Sequence, residues 1–213
     1  PEIVRVVDKE NGGHGDAVNF GLKSAAGKYF KVVDGDDWVD TKEFVKYVNA
    51  LRKSDADVVF TPFNRVHEVT HAVELKTYDG IEYNKKYDFD DAIKIIGLQY
   101  NMHSSTFRTE LLRKMRRISE HCFYVDQEYI IYPLKFLETA IFLNYPIYQY
   151  RVGSNEQSMS VKNMQKNRNM HKRVTENIID YLMCEEMSDR KKEFLEERVR
   201  GLCWRQIEIY LLM

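Results

Sequence analysis

The chain has 213 residues, enough for one substantial domain or one domain with an appendage. Its 44% hydrophobic content is ordinary for a globular protein, and a formal net charge of -1 offers no basic field for nucleic acid. No run is apolar enough to span a bilayer, and Cys122, Cys184 and Cys203, scattered and without a CxxC pair, argue against a disulfide framework or zinc knuckle and fit a reducing cytosol.

The chain begins at Pro1 rather than Met and shows no signal-peptide pattern, so a processed or cut N-terminus is expected. Ile3-Val4-Arg5-Val6-Val7 reads as a short strand and Asn11-Gly12-Gly13-His14-Gly15 as a glycine-rich turn. Asp16 opens a helix with Val18, Gly21, Leu22 and Ala25 on one face, and Gly27 is placed for a left-handed cap. Tyr29-Phe30-Lys31-Val32-Val33 is the next strand and runs into Asp34-Gly35-Asp36-Asp37. Asp40 with Glu43 makes a capping box for a helix to about Arg52, with Phe44, Val48 and Leu51 as its apolar face. Strands follow at residues 57–63 and 72–77, then a helix at 88–96, a strand at 102–107 and a helix at 110–115. A helix from Asp126 carries Tyr129, Ile130 and Leu134 as far as Pro133 permits, and a strand spans residues 145–152. From Lys162 the sequence turns charged and helical, with stripes at Val174, Ile178 and Leu182 and at Leu195, Val199, Leu202 and Ile209. The alternation predicts an α/β domain over residues 1–160 and a C-terminal helical region over 161–213.

The strongest chemical signal is the acidic cluster at the end of an apolar strand, where open α/β sheets bind ligands. Carboxylates on such a turn can converge on a hard divalent cation, which takes its remaining oxygens from water and phosphate. Alone, the cluster reads first as a solvated turn whose aspartates bond their own backbone. An EF-hand is ruled out, since Val39 and Val45 occupy the positions that need Gly and Glu. His67-Glu68-Val69-Thr70-His71 spells HExxH, but its flanks read as strands. Residues four apart in a strand lie about 13 Å from each other, too far to share one zinc, so a hairpin or connector is expected there.

The segment from Glu10-Asn11-Gly12-Gly13-His14-Gly15 through Asn19, Gly21 and Gly27-Lys28-Tyr29 to Val33-Asp34-Gly35-Asp36-Asp37-Trp38-Val39-Asp40 resembles the signature of family 2 glycosyltransferases. Met102-His103-Ser104-Ser105-Thr106-Phe107-Arg108 is similar to the family's acceptor-side strand. Phe123-Tyr124-Val125-Asp126 is similar to its catalytic segment, with Val125 where the family often has Glu. Tyr150-Arg151-Val152-Gly153 to Ser158-Met159-Ser160 resembles a late loop that closes over the donor.

The resemblance implies a GT-A fold, a mixed sheet flanked by helices, and an inverting transfer from a nucleotide-diphosphate sugar, UDP-linked, to a glycan hydroxyl. It implies Mn2+ or Mg2+ held by Asp34 and Asp36, with Asp37 replacing or joining one of them. Asp126 becomes the base, against its plain reading as a helix cap. Asn11, Gly12, Gly13, His14, Asn19, Asp34 and Arg151 become donor-binding residues, and His103 and Ser104 face the acceptor. Gly13 and Gly15 read individually as turn glycines, Arg151 also reads as a surface arginine, and Trp38 reads as a packing residue. Bacterial surface polysaccharide synthesis in the cytoplasm, peripheral to the inner face of the membrane, is the family-level expectation.

Family members begin with a strand–helix–strand stretch that holds the nucleoside, and this sequence starts after it. A bare sheet edge and a homodimer covering it are therefore expected. The competing readings are a non-catalytic binding or assembly module that keeps the fold and, more remotely, a zinc hydrolase at His67 and His71.

Overall fold

The computed structural model describes residues 3–153 and 160–211. In chain order the elements are α1 (Gly13–Ser24), β1 (Tyr29–Phe30), β2 (Trp38–Val39), α2 (Thr41–Lys53), β3 (Val58–Phe60), β4 (Phe63–His67), β5 (Val73–Lys76), β6 (Lys86–Asp88) and α3 (Phe89–Ile96). They continue with β7 (Ser105–Arg108), α4 (Thr109–Leu112), α5 (Asp126–Ile131), β8 (Thr139–Phe142), β9 (Tyr148–Val152), α6 (Val161–Lys166), α7 (Arg168–Cys184) and α8 (Asp189–Leu211).

Two mixed sheets organise the molecule. The first runs β1-β7-β3-β8-β6, with only the β3–β8 pair parallel. The second runs β2-β9-β4-β5, with β9 and β4 parallel. Strand β3 is apolar on both faces, as a strand covered on both sides must be. Val58 and Phe60 enter the larger core, while Val59 enters a smaller one with Tyr47, Leu143, Ile147 and Tyr148. Pro62 ends β3 and turns the chain into the second sheet, so the single strand expected over 57–63 is two.

The helical tail closes the larger core. Val174, Ile178 and Tyr181 of α7 and Phe194 and Leu195 of α8 are buried in the same cluster as Val58 and Phe60. The 3.6-residue stripes expected there are its buried face. No described helix is long and apolar enough to cross a membrane.

Local signals held where their partners are local. Asp40 Oδ1 accepts from Glu43 N at 2.9 Å and caps α2. Several expectations fail for want of a partner. Residues 3–7 form no strand, and Ile3 and Val6 stand exposed at 95% and 87%, because β-propensity makes a strand only where a ladder exists. Gly27 is not a left-handed cap; α1 ends at Ala25 in extended backbone. His67-Glu68-Val69-Thr70-His71 forms the β4–β5 hairpin, with His67 N donating to Ala72 O at 2.9 Å and His67 Nδ1 facing the Val69 and Thr70 amides at 3.3 Å. That is the connector the flanks indicated, and it lacks the helix that zinc chemistry needs.

Candidate active site

The acidic cluster is a tight turn between β1 and β2, closed by Asp37 N donating to Asp34 O at 3.1 Å. Tyr148 on β9 is its keystone. Its hydroxyl accepts from Asp34 N at 3.2 Å and donates to Asp37 Oδ2 at 2.6 Å. Asp37 Oδ1 also accepts from the Arg151 amide at 2.8 Å. Burial raises the Asp37 pKa, against the lowering effect of these two bonds. Asp36, one of the two expected ligands, lies exposed on the turn.

His103 precedes β7 and is packed among Phe63, Tyr148 and Tyr150, stacked on the last at 4.1 Å between ring centroids. Burial lowers its pKa to about 4, so the ring is neutral at physiological pH. The sequence assigned His103 to the acceptor side. It stands with Asp34 and Asp37, and one ligand atom from each lies within 4.8 Å of the others. Two carboxylates and a neutral imidazole fit Mn2+, which accepts both oxygen and nitrogen, whereas Mg2+ would use the carboxylates alone. Ser104 is fully buried, its hydroxyl donating to Asn101 O at 3.1 Å, and so serves the loop.

The glycine-rich turn meets the cluster through His14, whose Nε2 sits 3.2 Å from Asp34 Oδ1. The Asp34 carboxylate raises the His14 pKa, burial opposes it, and Asp126 adds to the rise. Asn11 Oδ1 accepts from Gly13 N at 2.9 Å, and Gly12 O accepts from His121 N at 2.6 Å. Gly13 has φ +81°, and a Cβ on Gly15 would lie 2.1 Å from Ser119 O. The glycines therefore let α1 start flush against residues 118–122. Asn19 uses both ends of its amide on Ile118, donating to the carbonyl at 2.8 Å and accepting from the amide at 3.1 Å. It ties the helix to that loop and has no side-chain bond in the cluster.

Asp126 is the first residue of α5, and the cap position belongs to Val125. Its carboxylate accepts from Gln127 Nε2 at 3.0 Å. Burial raises its pKa, with Gln127 and then His14 opposing. Asp34 and Asp126 lie within electrostatic range of each other and of His14 and Tyr150. Arg151 lays its guanidinium 5.5 Å from the ring centroid of Trp38, which stays exposed, and approaches Glu68 at 3.8 Å. The donor-closing loop falls largely on residues 154–159, outside the described residues.

Two site residues escaped the sequence reading. Tyr148 is one. Lys31, a lone cation in an apolar strand, is the other; its side chain donates to His103 O at 2.7 Å and Ser105 O at 3.3 Å. Burial lowers its pKa to about 7. A lysine placed between Phe30 and Val32 was the available signal.

A family model described as glycosyl transferase family 2 matches residues 1–116. The chain belongs to that family. The family 2 chain is 38% identical over 56 residues to EpsJ, an uncharacterized glycosyltransferase of Bacillus subtilis (strain 168), covering 26% of this chain and 16% of EpsJ. Its fold is similar to S. aureus TarS 1–349 solved with UDP-GlcNAc, at TM-score 0.62 and 15% identity over 93% of this chain and 55% of that one. A longer TarS structure gives TM-score 0.60 at 13% identity, covering 93% of this chain and 32% of that one. The family 2 chain thus spans about half of TarS 1–349. The likeness establishes a GT-A-like fold with C-terminal helices.

Proposed function

We propose that this family 2 chain supplies the metal-binding and base-bearing part of an inverting glycosyltransferase that moves a sugar from a UDP-linked donor to a glycan hydroxyl. The observation that carries the reading is the convergence of Asp34, Asp37 and His103 beside Asp126. TarS, of similar fold, was solved with UDP-GlcNAc, which supports a UDP-sugar here.

Asp34, Asp37 and His103 would hold Mn2+, or the two carboxylates alone Mg2+. When bound, such an ion offsets the negative charge that gathers on a departing diphosphate. Asp126 takes the proton of the acceptor hydroxyl as it attacks the anomeric carbon from the face opposite the diphosphate. Its raised pKa makes it a stronger base than a solvated aspartate. His14 lies beside Asp34 and sets one wall of the donor site.

Calorimetry with UDP tests the binding half of the reading. UDP is expected to bind in the presence of Mn2+, with affinity at least about tenfold lower for Asp34→Asn or under EDTA. Equal binding in all three conditions would contradict it and favour the non-catalytic module.

A further inference from the structure

Lys31 has no role in the chemistry above, yet it occupies the seam between the two sheets. Its ammonium donates to His103 O and Ser105 O, at the start of β7 in the first sheet. It also lies 5.2 Å from the ring centroid of Tyr148, on β9 of the second sheet. A methionine or leucine would fill that space without the desolvation cost of an amine, so filling space does not account for a lysine. What the amine adds is direction. It fixes the backbone of the residue that presents the imidazole, and it fixes the ring whose hydroxyl holds the acidic turn.

We propose that Lys31 is a positioning residue for the cation site: it joins the His103 backbone to the Tyr148 ring, and Tyr148 in turn holds the Asp37 carboxylate and the Asp34 amide. All three ligands are thereby aimed before an ion arrives. The inference rests on the reading of Asp34, Asp37 and His103 as cation ligands. Partners behind a ligand commonly tune metal affinity by about 10- to 100-fold.

The sign of the effect separates positioning from simple proximity. A bystander cation repels a divalent ion, so deleting it tightens binding. A residue that aims the ligands weakens binding when deleted. The test is titration of the chain with Mn2+ alone, following the electron paramagnetic resonance of free Mn2+ well below the unfolding temperature. Wild type, Lys31→Met and Tyr148→Phe are compared, with far-UV circular dichroism as the check on folding. Each variant is expected to bind Mn2+ at least about tenfold more weakly than wild type. The double variant is expected to lose less than the product of the two single losses, because both substitutions break one bracket. Unchanged or tighter binding by Lys31→Met overturns the proposal while leaving the site intact. Should Lys31→Met not fold, unchanged binding by Tyr148→Phe overturns it instead. A wild type that takes up no Mn2+ overturns the cation site itself, and the proposal with it.

Discussion

Asp126→Asn is expected to lower kcat roughly 100- to 10,000-fold, the range that a positioned general base contributes, while Mn2+-dependent UDP binding stays within about twofold of wild type. Asparagine matches aspartate in shape and can take up no proton. The same variant is expected to unfold at a higher temperature at pH 7. Burial raises the carboxyl pKa in the folded chain above its unfolded value. Folding therefore favours the protonated acid, and stability falls as pH rises from the unfolded value through the folded one. At pH 7 the ionised group opposes folding, and the amide removes that opposition. Lost turnover with gained stability is the pattern of a functional acid held at a cost. A helix cap would show the reverse, since its loss destabilises and spares catalysis. Turnover assays and thermal melts on one preparation distinguish the two. Unchanged turnover would remove Asp126 from the mechanism.

The second large effect is expected at Glu128, two residues along the same helix. Glu128 is fully buried and accepts three hydrogen bonds, from Ser119 N at 2.7 Å, Ser119 Oγ at 2.9 Å and Asn177 Nδ2 at 2.8 Å. It joins the loop behind the glycine turn, the Asp126 helix and the C-terminal helix α7. Tyr181 of α7 donates to Tyr132 O at 3.0 Å, just beyond the end of α5, and the Tyr124 ring meets His171 of α7 at 5.3 Å. Tyr124 itself is held at φ 66°, a left-handed conformation that a tyrosine adopts only under such constraint. Glu128→Ala strands three donors at about 1–3 kcal/mol each and opens a cavity, but local repacking and entry of water recover part of this. A net loss of about 3–5 kcal/mol is expected from the lost hydrogen bonds and the cavity together. At roughly 2–4 °C per kcal/mol the melting temperature should fall by about 10 °C. A shift under about 2 °C by calorimetry would show that the network is dispensable.

Much of the fold could be read from the sequence because its causes are short-range. Asp40 caps α2 three residues away, and the stripe of Val174 and Ile178 buries one helical face. Strand β8, at Thr139–Phe142, was not foreseen, because a run as short as Ala140, Ile141 and Phe142 carries no period of its own. It is a strand because β3 lies beside it in parallel. The candidate site divides in the same way. The acidic turn and Asp126 were legible as types of residue in a recognisable order. His103 was legible as a site residue on the acceptor side, but not as a neighbour of the acidic turn. Nothing local says that its ring reaches Asp34 and Asp37 across more than sixty residues of chain. Tyr148 was hidden for the same reason, as one aromatic among 14 tyrosines. Of the three aspartates expected at the metal, Asp34 and Asp37 stand with His103, because Tyr148 and the Arg151 amide draw Asp37 inward while Asp36 stays exposed.

The central claim is that the acidic turn and Asp126 serve one donor site. The direct measurement is release of UDP from UDP-GlcNAc by this family 2 protein, followed by proton NMR, with water as acceptor where no glycan is supplied. The account predicts release that requires Mn2+ or Mg2+, stops with EDTA, is absent in Asp126→Asn and yields a sugar of inverted anomeric configuration. Release that is indifferent to EDTA, or equal in wild type and Asp126→Asn, would contradict it.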